Sequence, residues 1–458
     1  MNLSTVILAA GQGTRMRSSL PKVMHPLAGK PLVTHVIETA LSLSPKSIVL
    51  VYGHGGELVK DALQHHAISF ALQAQQLGTG HAVNQAMELV KSADAAMVLV
   101  LYGDVPLIRL ETLRKLIAAK GEHSLALLTM QMANPKGYGR IVRSEQGIIQ
   151  AIVEEKDADE AVRNIGEVNT GILVADRIAL EKWLQRLDNR NNSKEFYLTD
   201  IVRLCVEDGG QVQSAQTSDP HEVLGVNNKM QLAELERAYQ LQQAHRLLEQ
   251  GVTLTDPARL DVRGEVTVGK DVFIDANVQL LGKVTLGDRV RIGPNVILRD
   301  SSIDADVEVL AFSLIEEATI ASGCTIGPYA RIRPDTHLQK NVKIGNFVEI
   351  KKSNIAEDSK VNHLSYIGDS EIGKRVNVGA GTITCNYDGA NKHKTLIGDD
   401  VFIGSDTQLI APVKVGNGAT IGAGSTITAE VPPQELTLSR TKQKTIIGWK
   451  RPTKKPRE

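Results

Sequence analysis

Two stretches of this sequence carry residues whose type and spacing suit chemistry. In the first, Gly11-Gln12-Gly13-Thr14-Arg15 follows directly on an apolar run, with Lys22 shortly after. Glycines after a strand let backbone amides approach an anion. Arg15 and Lys22 add cations in the same loop, which favours a phosphate ligand. By itself a short Gly-x-Gly fits a plain tight turn equally well. No GxxxxGK[ST] is present and the third glycine of the dinucleotide fingerprint is missing, so neither of those phosphate loops applies. In the second stretch, His363 lies in VNHLSY at 361–366. A neutral imidazole there can act as a general base, or merely face solvent or bond a neighbouring coil. Glu349, in NFVEIKKS, is an acidic group of the kind that orients such a ring.

The first stretch belongs to a strand–helix alternation. Apolar runs at 5–10, 47–52, 96–102 and 124–130 read as buried strands, with helical spacing at 31–43, 79–90 and 110–119 between them. That order predicts a mostly parallel α/β sheet with helices on both faces, binding ligands at the carboxyl ends of its strands. Residues 229–250 place Leu232, Leu235, Tyr239, Leu241 and Leu248 on one side of a helix that stops at Gly251. It serves as a linker or as the last helix of the first domain. The expected domains are 1–228, a helical linker at 229–250, and 251–458.

The second stretch lies in a repeat of six. Val268, Ile274, Leu280, Leu286, Ile292 and Leu298 form one ladder, with Val266 to Val296 two residues earlier. The pattern returns from Ile320 to Ile350 and from Ile397 to Ile427, and Gly287, Gly293, Gly345, Gly398, Gly404 and Gly422 follow its aliphatic positions. Strand alternation shares this period but not the glycines. The repeat predicts a parallel β-helix in its left-handed, three-faced hexapeptide form. Residues 301–318 break the phase, and CNYDGANKHKT at 385–395 reads as a projecting loop.

Composition narrows the function. Lys plus Arg and Asp plus Glu are 52 each, so no basic footprint for nucleic acid exists, and aromatics are 3%. The longest apolar run is too short for a membrane span, and the start lacks a signal-peptide pattern. Three dispersed cysteines form neither a disulfide framework nor a zinc signature. The expectation is a cytoplasmic protein with free thiols.

LAAGQGTRM at 8–16 with Pro21-Lys22-Val23, QAQQLGTGHA at 73–82, LYGDVP at 101–106, GYGRI at 137–141, VEEKDA at 153–158, EVNTGI at 167–172 and GVNNK at 225–229 resemble, in order, the motifs of sugar-phosphate nucleotidyltransferases. With the hexapeptide half, the whole chain resembles the family of bacterial bifunctional N-acetylglucosamine-1-phosphate uridyltransferase/glucosamine-1-phosphate acetyltransferases. The resemblance implies a Rossmann-like nucleotidyltransferase domain followed by the β-helix. It implies acetyl transfer from acetyl-CoA to glucosamine 1-phosphate, then uridylyl transfer from UTP to N-acetylglucosamine 1-phosphate. The product, UDP-N-acetylglucosamine, feeds peptidoglycan and lipopolysaccharide synthesis.

Carried residue by residue, the resemblance assigns Leu8, Ala9, Ala10, Gly11, Gln73, Gly78 and Thr79 to uracil and ribose. Tyr102, Gly103, Gly139, Glu154 and Asn169 go to the sugar side, Asp104 and Asn227 to Mg²⁺, and Arg15 and Lys22 to phosphate neutralisation. In the second half it makes His363 the general base. Arg333, Lys351, Tyr366, Asn377 and Lys392 hold the acetyl acceptor, and Ala380, Asn386, Tyr387, Ser405, Ala423 and Arg440 hold acetyl-CoA. It also implies a homotrimer built through the β-helix, with small-molecule substrates, no nucleic acid and no membrane insertion. The tail at 442–458, with seven Lys or Arg and one acidic residue, is a solvated end or a cover for the coenzyme's phosphates. Gln12, Glu155, Phe196 and Asn362 depart from common family residues. The competing readings are a single-activity nucleotidyltransferase with an assembly solenoid, a scaffold with a vestigial site, or the same two reactions on another amino sugar.

Overall fold

The apolar runs become strands because each is buried on both faces. In a computed structural model that describes residues 2–53 and 55–454, contacts divide the chain into two units, Met1–Tyr239 and Gln240–Glu458. The first unit holds β1 (Leu3–Ala9), β2 (Ser47–Tyr52), β3 (Ser69–Leu72), β4 (Met97–Tyr102), β5 (Leu125–Gln131), β6 (Arg140–Arg143), β7 (Ile149–Val153), β8 (Glu167–Asp176) and β9 (Val212–Thr217). Their order is β9-β5-β8-β4-β1-β2-β3, with the β6–β7 hairpin attached beside β8. Neighbours are parallel except around β8, which runs antiparallel to β4, β5 and β6, and within the antiparallel β6–β7 hairpin.

Helices cover both faces. Val33, Val36 and Ile37 of α1 (Leu32–Leu41) share one core with Ile7 of β1, with Leu99 and Leu101 of β4, and with Leu113 and Leu116 of the helix Leu110–Lys120. Val83, Ala86, Met87 and Val90 of α2 (Thr79–Ser92) and Ile201 and Val202 of α3 (Asp200–Glu207) fill the other. The carboxyl ends of β1 and β4 lie side by side in this sandwich, with Leu8 registered against Tyr102.

The helix α4 (Lys229–Glu249) spans the division. Leu232, Leu235 and Tyr239 pack in the first unit, as expected. Leu241 and Leu248 do not continue that stripe: both are exposed, and Ala244 and Leu247 are buried in the second unit instead. Gln240 fixes this half by donating to the Val262 carbonyl and accepting from its N–H.

The second unit is a stack of short parallel strands. One face carries eleven strands, roughly 48 Å at 4.8 Å per strand. All the aliphatic ladder positions named above are buried except Val268, which is partly covered. Residues 301–318 do not interrupt the stack. Leu280 pairs with Leu298, 18 residues on, but Leu286 pairs with Ile303 and Ile292 with Val309, 17 residues on. Each such coil is one residue short at a corner, which shifts the six-residue phase without breaking a strand ladder. At the loop the step grows to 25, Ile372 pairing with Ile397.

Candidate active sites

Arg15, Lys22, Asp104 and Asn227 converge. Gly13 adopts φ +63°, and a Cβ there would stand 2.7 Å from Lys22 Cβ, so glycine lets the loop fold against Lys22. Short 3₁₀ turns at Thr14–Met16 and Lys22–Met24 present the two cations. Lys22 Nζ lies 2.5 Å from Asp104 Oδ2 and donates to Asn227 Oδ1 at 3.4 Å, while Arg15 Nη2 donates to the same oxygen at 2.9 Å. The Val226 N–H donates to the Asp104 carbonyl at 2.9 Å, tying the 225–229 segment to the end of β4.

Beside this cluster is a cavity of about 240 Å³ lined by Leu8, Ala10, Gly11, Gln73, Gly78, Thr79 and Tyr102. Gln76 and Glu195 also line it, and neither was assigned a nucleotide contact from sequence. Gln76 donates to the Ala10 carbonyl and Gln73 to the Gly78 carbonyl. Ala9 packs into the core, where Gly103 approaches its Cβ, so its side chain does not line the cavity. Gly78 sits at φ +111°, and a Cβ would meet Phe196 N and O at 2.8 and 2.6 Å. Gly78→Ala is therefore expected to destabilise the protein by on the order of 1–3 kcal/mol, which thermal unfolding checks.

β8 carries a bulge between Asn169 and Leu173. The Asn169 N–H donates to the Gly139 carbonyl at 2.8 Å. A Cβ at Gly139 would come within 3.4 Å of the Glu154 carboxyl. Burial pushes the Glu154 pKa up, as do Asp157, Asp200 and Glu195, against a hydrogen bond from Thr199. Burial also raises the Tyr102 phenol, and Gly171 leaves its ring room.

In the second unit, His363 ends the strand Lys360–His363 and is exposed rather than interior. Its Nδ1 lies 3.1 Å from Asn346 Oδ1. Glu349 does not serve as the ring's partner: its carboxylate accepts from Arg333 Nη1 at 2.7 Å. The register explains the correction. Asn346 stacks directly on His363 one coil away, whereas Glu349 lies past a corner, in register with Tyr366.

Lys351, Tyr366, Lys392 and Asn386 gather around Asp369. Lys351 Nζ is 3.6 Å from Asp369 Oδ2, and Asn386 Nδ2 donates to that oxygen at 2.5 Å and to Tyr366 Oη at 3.4 Å. Lys351 faces Lys392: that contact, then Asp369, holds the Lys351 pKa up, and Lys351 pushes the Lys392 pKa down. Asn386, assigned above to the coenzyme, thus stands among the acceptor-side residues. Tyr387 is exposed, and Asp388 staples the loop by accepting from Ala390 and Asn391 N–H and from His393. Asn377 stands apart, lining a cavity of about 420 Å³ with Lys343, Lys360 and Arg375.

Ala380, Ser405, Ala423 and Arg440 form a column leading from His363. Gly381 N–H reaches the His363 carbonyl, Asp406 N–H the Ala380 carbonyl, Gly424 N–H the Ser405 carbonyl, and Arg440 Nη1 the Ala423 carbonyl. Sequence reasoning missed Asn346 and Asp369. Coil length was the signal: Asn346 precedes His363 by 17 residues and Asp369 precedes Asn386 by 17.

Residues 5–254 match the MobA-like NTP transferase domain, 265–300 and 394–429 the bacterial transferase hexapeptide, and 322–411 the GMPPB C-terminal domain. The chain is 57% identical over 456 residues to "Bifunctional protein GlmU" of Nitrosospira multiformis, covering 99% of each. It is 57% identical over 453 residues to the protein of the same name from Aromatoleum aromaticum, again covering 99% of each.

Proposed function

The chain belongs to the family of bifunctional GlmU proteins, and from that premise we propose how its residues divide two reactions. The protein is a two-activity enzyme: it acetylates glucosamine 1-phosphate from acetyl-CoA and then joins the product to UMP from UTP, giving UDP-N-acetylglucosamine and pyrophosphate. The observation that carries the assignment of residues is the convergence of Lys22, Asp104 and Asn227 at the strand ends. An assay from glucosamine 1-phosphate, acetyl-CoA, UTP and Mg²⁺, omitting each reagent in turn, tests both steps and their order.

In uridylyl transfer, the sugar 1-phosphate attacks the α-phosphorus of UTP and pyrophosphate leaves. The phosphate is already a nucleophile, so alignment and neutralisation suffice. Arg15 and Lys22 supply positive charge, and the cavity around Gln73 and Thr79 receives the nucleoside. Asp104 and Asn227 would hold Mg²⁺: the Lys22 ammonium already stands as a cation against both oxygens. Two hard donors suit an ion that keeps waters and substrate phosphates as its other ligands, and when bound it neutralises developing charge on those phosphates.

In acetyl transfer, His363 takes the proton as the sugar amine attacks the thioester carbonyl, and the coenzyme leaves as its thiol. With Nδ1–H donated to Asn346, Nε2 carries the lone pair for that role. The cations around Asp369 suit the acceptor phosphate, and the column of small residues below His363 leaves room for the coenzyme arm.

The working assembly is a homotrimer packed through the β-helix, acting in the cytoplasm. No helix among the described residues is long and apolar enough to cross a membrane. The hexapeptide repeats support assembly, and so does one corner of the stack. Phe312, Tyr329, Phe347 and Leu364 occupy it in successive coils, each about half exposed or more, with ring centroids 5.0 and 5.3 Å apart. All four have positive φ, as do Asn277 and Asn295 before them and Gly381 and Asp406 after. Bulky residues in that conformation are costly, and an exposed apolar stripe favours a protein contact. Phe347→Asp is expected to shift the protein from trimer to monomer and to abolish acetyl transfer. The loss follows if the acetyl-transfer site is built between adjacent β-helices; sedimentation checks the oligomeric state, and a fully active monomer contradicts that arrangement.

A further inference from the structure

The two segments that build the uridylyl site also meet at His25, besides the Ala28 N–H to Glu236 hydrogen bond and the packing of Met16 with Val226. His25, shortly after Lys22 and 3% exposed, receives on Nδ1 a hydrogen bond from Lys229 Nζ at 3.0 Å. Its backbone is fixed from both sides: its N–H donates to the Lys22 carbonyl at 3.3 Å, and its carbonyl accepts from Leu32 N–H at 3.0 Å. Lys229 opens α4 just past Asn227. There the Asn227 N–H donates to Gln231 Oε1 at 2.8 Å, and Asn228 Oδ1 accepts from Gln231 N–H at 2.9 Å.

The links made by Lys22 and Arg15 would compete with a bound divalent cation. Lys22 and Arg15 reach Asp104 and Asn227 through the oxygens that a divalent cation requires. Were those oxygens to hold a metal, both cations would be free to turn toward phosphate. The Lys229–His25 bond uses neither oxygen. Burial, and then the Lys229 charge, push the His25 pKa down, which keeps Nδ1 an acceptor. His25 Nε2 is buried without a partner among the described residues, so Lys229 supplies the ring's hydrogen bond.

We propose that Lys229 and His25 form a latch that holds the Asn227 segment against the phosphate loop while Lys22 gives way to the metal. Both are positioning residues, and the inference rests on the uridylyl-transfer reading of this site. Mn²⁺ binding followed by electron paramagnetic resonance, with a non-hydrolysable UTP analogue and no turnover, tests it directly. Lys229→Met and His25→Leu are expected to weaken Mn²⁺ binding about 10-fold, the size typical of residues that orient metal ligands. His25→Asn, which offers a carbonyl oxygen near the place of Nδ1, is expected to recover most of the loss. The Mg²⁺ concentration for half-maximal uridylyl transfer moves in parallel, with acetyl transfer and the melting temperature unchanged. Unchanged Mn²⁺ affinity in Lys229→Met, His25→Asn as weak as His25→Leu, or a loss that tracks a lowered melting temperature would each overturn the latch. A parent protein without uridylyl transfer would instead overturn the reading of the site.

Discussion

Asp104→Ala is expected to lower uridylyl transfer by on the order of 10²–10³-fold while acetyl transfer stays at the parent rate. The carboxylate sits at the end of β4 with its side chain 13% exposed, against the Lys22 ammonium. Removing it takes away a hard oxygen donor and leaves Lys22 without its anionic partner. The backbone is spared, because Val226 N–H donates to the Asp104 carbonyl, which alanine keeps. Lys22→Ala is expected to cause a loss of the same order, since in the proposed mechanism it removes a charge that neutralises the transferring phosphate. Pyrophosphate release from UTP and N-acetylglucosamine 1-phosphate measures both. A folded Asp104→Ala protein that has lost both activities contradicts the separation of the two centres.

His363→Ala is expected to cost acetyl transfer about 10²–10⁴-fold, the range for loss of a general base, with uridylyl transfer intact. The ring is exposed and its side-chain partner is Asn346, so alanine there leaves the buried ladder of Val361 and Val378 undisturbed. Asn346→Leu is expected to reduce the rate less, because the base remains while its tautomer and orientation are no longer fixed. Release of free thiol from acetyl-CoA reports both. An unchanged rate in His363→Ala contradicts the assignment of the base.

Much of this was legible in the sequence wherever a pattern is set by burial. The expected strand 47–52 and the helix starting at Thr79 match the structure, because two-sided burial and an amphipathic face leave periodic signatures. The antiparallel β8 escaped, since a strand's direction leaves no mark on its apolar pattern and its pairing depends on β4 and β5. The phase shift at 301–318 was visible, but its cause, a coil one residue short, depends on corner geometry. Arg15, Lys22, Asp104 and Asn227 were singled out by resemblance to a family motif set, and the strand ends bring them together. Glu349 was misjudged because closeness along the chain is a poor guide in a stack. Partners lie one coil away, as Asn346 lies from His363 and Asp369 from Lys351.

The most direct test of two independent centres in one chain is product analysis on Asp104→Ala and His363→Ala, separately and mixed, supplied with glucosamine 1-phosphate, acetyl-CoA, UTP and Mg²⁺. The expected result is that Asp104→Ala accumulates N-acetylglucosamine 1-phosphate, that His363→Ala makes UDP-N-acetylglucosamine only when given that intermediate, and that the mixture completes the sequence. Failure of Asp104→Ala to form the intermediate, or of His363→Ala to use it, would contradict the account.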